Sequence, residues 1–299
     1  MTDDARAKFE RLVGELRPKL HRYCARMTGS AVDGEDIVQD ALMKALVALP
    51  NVGVIDNPEG WLFRIAHNTA LDFLRCRARG PILQNDEALD MIAAPDSPDQ
   101  DHEIAAMILR TFMRLPALQR SAVILKDVLG HSLEEVASTT GASEAAAKSA
   151  LQRGRARLRE IAKEPADVSL PMLSDVVLAR LSKYVEGFKT GDFDMVRAML
   201  ADDIKLDLVA KLRKQGKSEV GEYYAAYAAT KQWAYAAGVV DGRAAMLVYD
   251  REISLEMPAY FVALDFDGDR VVSVHDFLYA RYAMDGIDLS PLNPAPRSQ

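Results

Sequence analysis

The sequence predicts a multidomain chain of 299 residues, with two all-α segments followed by an α+β segment. Three observations carry that prediction. Apolar residues recur at helical spacing over 5–79 and again over 104–163. An acidic, proline-punctuated stretch separates those two segments. From about residue 173 two helical pieces give way to strand-length apolar runs joined by Asp-Gly turns, the signature of antiparallel hairpins.

In the first segment Phe9, Leu12, Val13, Leu16, Leu20, Tyr23 and Met27 mark one helix, and 34–49 and 60–75 read as two more. Asn57-Pro58 breaks the chain before the last of these. Residues 80–103, GPILQNDEALDMIAAPDSPDQDHE, read as a flexible linker. Pro165 and Pro171 mark a second boundary. Beyond it helices are expected at 173–189, 192–201 and 219–230, with strands at 204–209, 233–240, 244–249, 260–266 and 271–282. Helices followed by a meander of antiparallel strands imply an α+β domain with a curved antiparallel sheet over 170–285, and the proline-rich residues 286–299 read as a disordered tail.

Hydrophobic content of 49% and charged content of 27% are ordinary for a globular protein. No apolar run reaches membrane-span length, and the opening MTDDARAKFERLVGE lacks a signal-peptide core, so a cytoplasmic protein without membrane attachment is expected. Cys24 and Cys76 read as reduced thiols, with no metal site. The net charge of −7 argues against nucleic acid only as a total. Residues 104–163 hold ten Lys/Arg against five acids, while 81–103 hold seven acids and no Lys/Arg. Phosphate contact depends on the local sign.

The segment Ser132–Arg159 reads as a helix–turn–helix. Ser132 and Glu135 form a capping box, Gly141 supplies a left-handed C-cap, and Ser143 caps a second helix. On that helix Ala147, Leu151, Gly154, Leu158 and Ala162 form a packing face. Lys148, Gln152, Arg155 and Arg159 form a basic one, the arrangement that enters a major groove. On the helix 60–75, Arg64, Asn68, Asp72 and Arg75 share a polar face beside Trp61, suited to phosphates and an unpaired base. An Asp72–Arg75 ion pair on a solvated face explains the same stripe without nucleic acid. The helix 34–49 opens with Glu35, Asp36, Gln39 and Asp40, which also suit the helix dipole.

Together these motifs resemble the extracytoplasmic-function sigma factors of bacterial RNA polymerase. DGEDIVQDALMKAL (33–46) looks like region 2.2 of that family, NPEGWLFRIAHNTALDFLR (57–75) like its −10 reading loop and helix, and 115–159 like region 4. The resemblance implies a sigma region 2 helical bundle at 1–79 and a sigma region 4 helix–turn–helix at 104–163. It implies core RNA polymerase and promoter DNA as partners, and needs no cofactor. Asp36, Gln39 and Asp40 fall at the polymerase contact. Trp61, Arg64, Asn68, Asp72 and Arg75 fall at the −10 element, and Lys148, Ser149, Gln152, Arg153 and Arg155 at the −35 element. Where the family often reads T-V-K-S-R, this chain has Ala146-Ala147-Lys148-Ser149-Ala150. The missing arginine implies a lost phosphate contact and weaker −35 binding.

Residues 170–285 resemble the SnoaL-like domains of the cone-shaped nuclear-transport-factor fold, through GFKTGDFDMVRAML (187–200) and VVDGRAAMLV (239–248). A pocket of that fold would draw on Asp207, Tyr227 and His275, with Tyr223, Asp250 and Asp276 as further candidates. The resemblance implies regulation in cis through contact of this domain with the sigma segments, and an unidentified small ligand in its pocket. No nucleophile motif or metal-ligand spacing accompanies these residues, so the chain reads as a transcription initiation factor and not an enzyme. Two other readings stay open at this stage: a small-molecule isomerase or cyclase fused to a DNA-binding module, and a two-domain repressor that acts without polymerase.

Overall fold

A computed structural model describes residues 3–53, 55–78, 107–164, 173–228 and 230–292. The expected linker at 80–103 and the last seven residues lie outside them. The chain divides into two compact units, Met1–Asp167 and Val168–Gln299.

The first unit is all-α. Its helices are α1 (Asp3–Thr28), α2 (Ala31–Ala48), α3 (Pro58–Ala78), α4 (Leu109–Phe112), α5 (Ala117–Val123), α6 (Leu133–Thr140) and α7 (Glu144–Lys163). Ser30 caps α2 by accepting from the Asp33 amide, and Gly34 lets α2 close on α1: a Cβ there would lie 2.6 Å from the Ala25 backbone. A single apolar core runs through both helical segments, from Leu20, Met27 and Phe63 to Phe112, Ile124, Val136 and Leu151. Polar contacts bridge them as well. The Tyr23 hydroxyl lies 2.7 Å from His67 Nδ1 and 3.3 Å from Ser121 Oγ, and the Arg120 guanidinium donates to the Met27 carbonyl at 2.6 Å.

The second unit packs helices α8 (Asp175–Thr190), α9 (Phe193–Ala198) and α10 (Lys217–Ala228) with a seven-stranded sheet. Its strands are β1 (Leu200–Leu208), β2 (Leu212–Gln215), β3 (Trp233–Val240), β4 (Arg243–Asp250), β5 (Tyr260–Asp267), β6 (Arg270–Asp276) and β7 (Leu289–Pro291), in the order β2-β1-β6-β5-β4-β3-β7. Asp241 (φ 50°) and Gly242 (φ 81°) make the tight left-handed turn between β3 and β4 that the Asp-Gly pair predicts.

Three expectations need correction. The sheet is mixed, because β1 pairs parallel with β6 while the remaining strand pairs are antiparallel. The run 271–282 is strand only to Asp276. From there the chain crosses the sheet, stacking Phe277 on Phe261 at 4.4 Å, to reach the far edge. Part of the expected tail is therefore structured: Leu289–Pro291 pairs with β3 as an edge strand, where proline's missing donor is tolerated. The short strand β2 had no signal in the sequence, since it is polar and mostly exposed.

Candidate nucleic-acid interface

The helix–turn–helix is built by its local chemistry. Ser132 Oγ accepts from the Glu135 amide at 3.1 Å, and the Glu135 carboxylate accepts from the Ser132 amide at 2.7 Å. That backbone bond lowers the Glu135 pKa. Gly141 ends α6 in the left-handed region (φ 72°), and Ser143 caps α7 by accepting from the Ala146 amide. Helix α7 buries Ala147, Ala150, Leu151, Gly154, Leu158 and Ile161. Gly154 is required there, because a Cβ would lie 2.7 Å from Val123 Cγ2 on α5.

Of the residues expected on the basic face, Lys148 is exposed, and Ser149, Gln152 and Arg153 are half-buried beside it. Arg155 is a correction. Its side chain is 8% exposed and chelates the fully buried Asp127 carboxylate, with Nε and Nη2 donating at 2.9 and 2.6 Å. Asp127 lies in a wide π-turn, Ile124–Val128, that closes α5. A charge in the interior must be paired, so Arg155 anchors α7 from behind. The arginine absent at position 150 needs the same revision: Ala150 is wholly buried, so that position faces the core. Ala162 is exposed and Ile161 takes its place in the packing face.

Helix α3 presents Arg64, Asn68, Asp72 and Arg75 together on its exposed side. Arg75 does donate to Asp72 at 2.9 Å, but both side chains are over 60% exposed, and such a pair holds little energy. The opposite side of α3 buries Leu62, Phe63, Ala66, His67 and Ala70. Trp61 lies one turn before Arg64 on the same side of the helix. It is half-buried, lining an apolar groove of about 560 Å³ with Phe9, Leu12, Leu49, Pro50 and Ile55.

On α2, Asp36 and Gln39 are half-buried and Asp40 is exposed. The helix continues this stripe with Met43 and Val47, 61% and 73% exposed. Sequence reasoning missed these two. Their spacing from Asp36 and Asp40, 4-3-4, was the available signal. Glu35, by contrast, is fully buried and paired with Arg17, and Asp33 accepts from Arg77 at 3.1 Å.

In the second unit the three expected pocket residues do not converge. Tyr227 donates to Asp276 at 2.5 Å, and Tyr223 to the same oxygen at 2.6 Å, on the side of the sheet where α8 and α10 pack. Successive strand residues point to opposite faces, so His275, next to Asp276, faces the other way. Asp207 is the register partner of His275 and shares its face, where it accepts from Arg213 at 3.0 Å. Burial raises the Asp276 pKa, and raises those of Tyr223 and Tyr227 with it. Asp250 shapes the turn after β4, accepting from the Glu252 amide and the Gln232 side chain.

The comparisons with known proteins bear on the whole arrangement. Residues 12–80 match the model of sigma-70 region 2, and 105–158 that of sigma-70 region 4. The chain is 26% identical to the ECF RNA polymerase sigma factor SigG of Mycobacterium tuberculosis, over 92% of this chain and 82% of that protein. It is 31% identical to SigM of the same organism, over 52% of this chain and 78% of that protein. The crystal structure of M. tuberculosis SigJ covers 87% of this chain and 93% of its own, at 20% identity and a TM-score of 0.35. An NTF-2-like protein from Burkholderia xenovorans covers 41% of this chain and 88% of its own, at 16% identity and a TM-score of 0.28. No helix among the described residues is long and apolar enough to cross a membrane. The two sigma-70 regions in sequence order, and relatives matched over most of their length, show that the chain belongs to the extracytoplasmic-function sigma factors, the alternative sigma factors that direct transcription initiation by RNA polymerase.

Proposed function

We propose that the chain docks on core RNA polymerase through the stripe Asp36, Gln39, Asp40, Met43 and Val47. In the bound factor, Arg64, Asn68, Asp72 and Arg75 meet the −10 element, and Lys148, Ser149, Gln152 and Arg153 the −35 element. The observation that carries this reading is the exposure of the α3 polar stripe on a helix whose other side is core. An exposed Asn between two Arg suits an unstacked base and its phosphates. Trp61 contributes from the groove beside the stripe. The factor works in the cytoplasm, and the bond-making chemistry belongs to the polymerase.

The SnoaL-like unit regulates the factor in cis, by contact with the sigma regions that changes the population able to bind polymerase. A full α+β unit following both sigma regions supports this role. The separation of Asp207 and His275 from Tyr227 speaks for regulation over catalysis by those three residues. Co-purification with core polymerase and transcription from a −35/−10 promoter test the first part, and failure to bind core would overturn it. Truncation near residue 165 tests the second: altered promoter output is expected, and unchanged output counts against cis regulation.

A further inference from the structure

Asp276 ends β6 as a buried carboxylate that promoter reading does not use. It is 1% exposed. Three donors hold it: Tyr223 and Tyr227 of α10 donate to Oδ2 at 2.6 and 2.5 Å, and the Leu278 amide donates to Oδ1 at 2.8 Å. Donors on both oxygens favour the ionised acid, because a protonated carboxyl needs an acceptor for its own hydrogen. Burial works the other way and raises the Asp276 pKa. A carboxylate in the interior settles that conflict with a cation, as Asp127 does with Arg155. Among the described residues no Lys, Arg or His contacts Asp276. The charges of Arg281 and Arg251 are felt at Tyr260 and Tyr235 and not at the carboxylate.

What surrounds the carboxylate is aromatic. Tyr223 meets Tyr227 edge-on at 5.6 Å between ring centroids, Tyr227 meets Phe188 at 5.4 Å, and Trp233 meets Tyr260 at 5.4 Å. The Tyr227 and Tyr260 hydroxyls lie 3.1 Å apart. Aromatic rings attract organic cations through their negative faces and pack on the apolar body that carries the charge. A metal ion suits the site less well: among the described residues no trio of His, Cys, Asp or Glu side chains placed to ligate one includes Asp276. The way in lies beside α10. Tyr223 is half-buried there, while Tyr227 and Tyr260 are 7% and 0% exposed. An N–H donor arriving on that side meets the same oxygen that Tyr223 holds.

We propose that Asp276, Tyr223, Tyr227 and Tyr260 form a binding site for a small organic ammonium, a primary amine whose charge pairs with Asp276 and whose apolar body packs on the rings. Its N–H groups replace the Tyr223 hydroxyl at Oδ2, and Tyr223 turns outward to admit it. The amine supplies the cation that the fold omits. Its use as a signal rests on the cis-regulation reading above, whereas the site itself rests only on the chemistry around Asp276.

Titration calorimetry on the full-length chain tests it, with benzylammonium and n-butylammonium as probes and benzyl alcohol as the uncharged analogue. At least one ammonium should bind saturably, one per chain, and benzyl alcohol about tenfold more weakly than benzylammonium or not at all. Asp276→Asn keeps the shape and removes the charge, and should weaken ammonium binding about tenfold or more. Tyr223→Phe keeps the ring and removes the competing hydroxyl, so binding should tighten; this variant decides the matter if Asp276→Asn does not fold. The site is overturned if neither ammonium binds, if benzyl alcohol binds as well as benzylammonium, if a folded Asp276→Asn binds as the wild type does, or if Tyr223→Phe loses binding. Promoter output with core polymerase, measured with and without the amine, separates the site from its use. Binding that shifts output supports both, and binding that leaves output unchanged supports the site and counts against its part in cis regulation.

Discussion

Arg155 and Asp127 form a bidentate ion pair in the interior of the helix–turn–helix, with Nε and Nη2 of the arginine 2.9 and 2.6 Å from the two carboxylate oxygens. Removing one partner strands a buried charge, at a cost of about 3–5 kcal/mol. Asp127→Ala should therefore lower the unfolding free energy of the first unit by that order in a urea titration. Arg155→Lys should also destabilise, since an ammonium cannot reproduce the fork. A loss under about 1 kcal/mol for Asp127→Ala would contradict the anchoring role.

Lys148 is exposed on α7 and Arg153 is half-buried beside it. Each phosphate contact adds about one unit to the slope of log affinity against log salt. Lys148→Ala and Arg153→Ala should each lower that slope by about 1 in holoenzyme binding to a −35/−10 promoter, with the unfolding midpoint unmoved. An unchanged slope would remove the residue from the −35 interface.

Arg64 and Asn68 face solvent on α3, so truncating either should change stability by less than about 0.5 kcal/mol. Promoter opening should nevertheless fall, by about tenfold or more for Asn68→Ala if a base contact of 1–3 kcal/mol is lost. Permanganate reactivity of the −10 region reads the opening, and core binding serves as the control. Full opening by both variants would sink this assignment.

Burial holds the His67 pKa down to about 4, with the charge of Arg75 a lesser cause. In the unfolded chain it titrates near 6.5. Between those values the unfolded state binds more protons, so stability is lost as pH falls from about 6.5 towards 4, and is constant with respect to this group above that range. The full effect is about 3 kcal/mol. Denaturant titrations at pH 7.5 and 5 should show the loss. His67→Gln should flatten the pH dependence, and equal dependence in the variant would show that another group governs it.

Much of the first unit was legible in the sequence because its signals are local. The capping box at Ser132 and Glu135, the left-handed Gly141 and the Ser143 cap need only a few neighbouring residues to act. The 4-4-3 spacing of Arg64, Asn68, Asp72 and Arg75 needs only a helix. Arg155 misled because helical spacing says which residues share a side, while Asp127, twenty-eight residues away, decides whether that side is wet. The Asp207, Tyr227 and His275 grouping failed for a related reason: strand parity separates His275 from Asp276, but only the register with β1 and the packing of α10 tell which face is which.

By itself, then, the sequence determined the helices, their caps, the Asp-Gly hairpin, the order of the two sigma regions and the α+β character of the second unit, all of which follow from interactions within a few residues. Tertiary structure decided that β1 runs parallel to β6, that residues 289–291 close the sheet edge, that Arg155 is an anchor, and that Tyr23, His67, Arg120 and Ser121 join regions 2 and 4. Those outcomes depend on residues up to about a hundred positions apart, whose pairing is set by burial and by the need to satisfy polar groups once water is excluded.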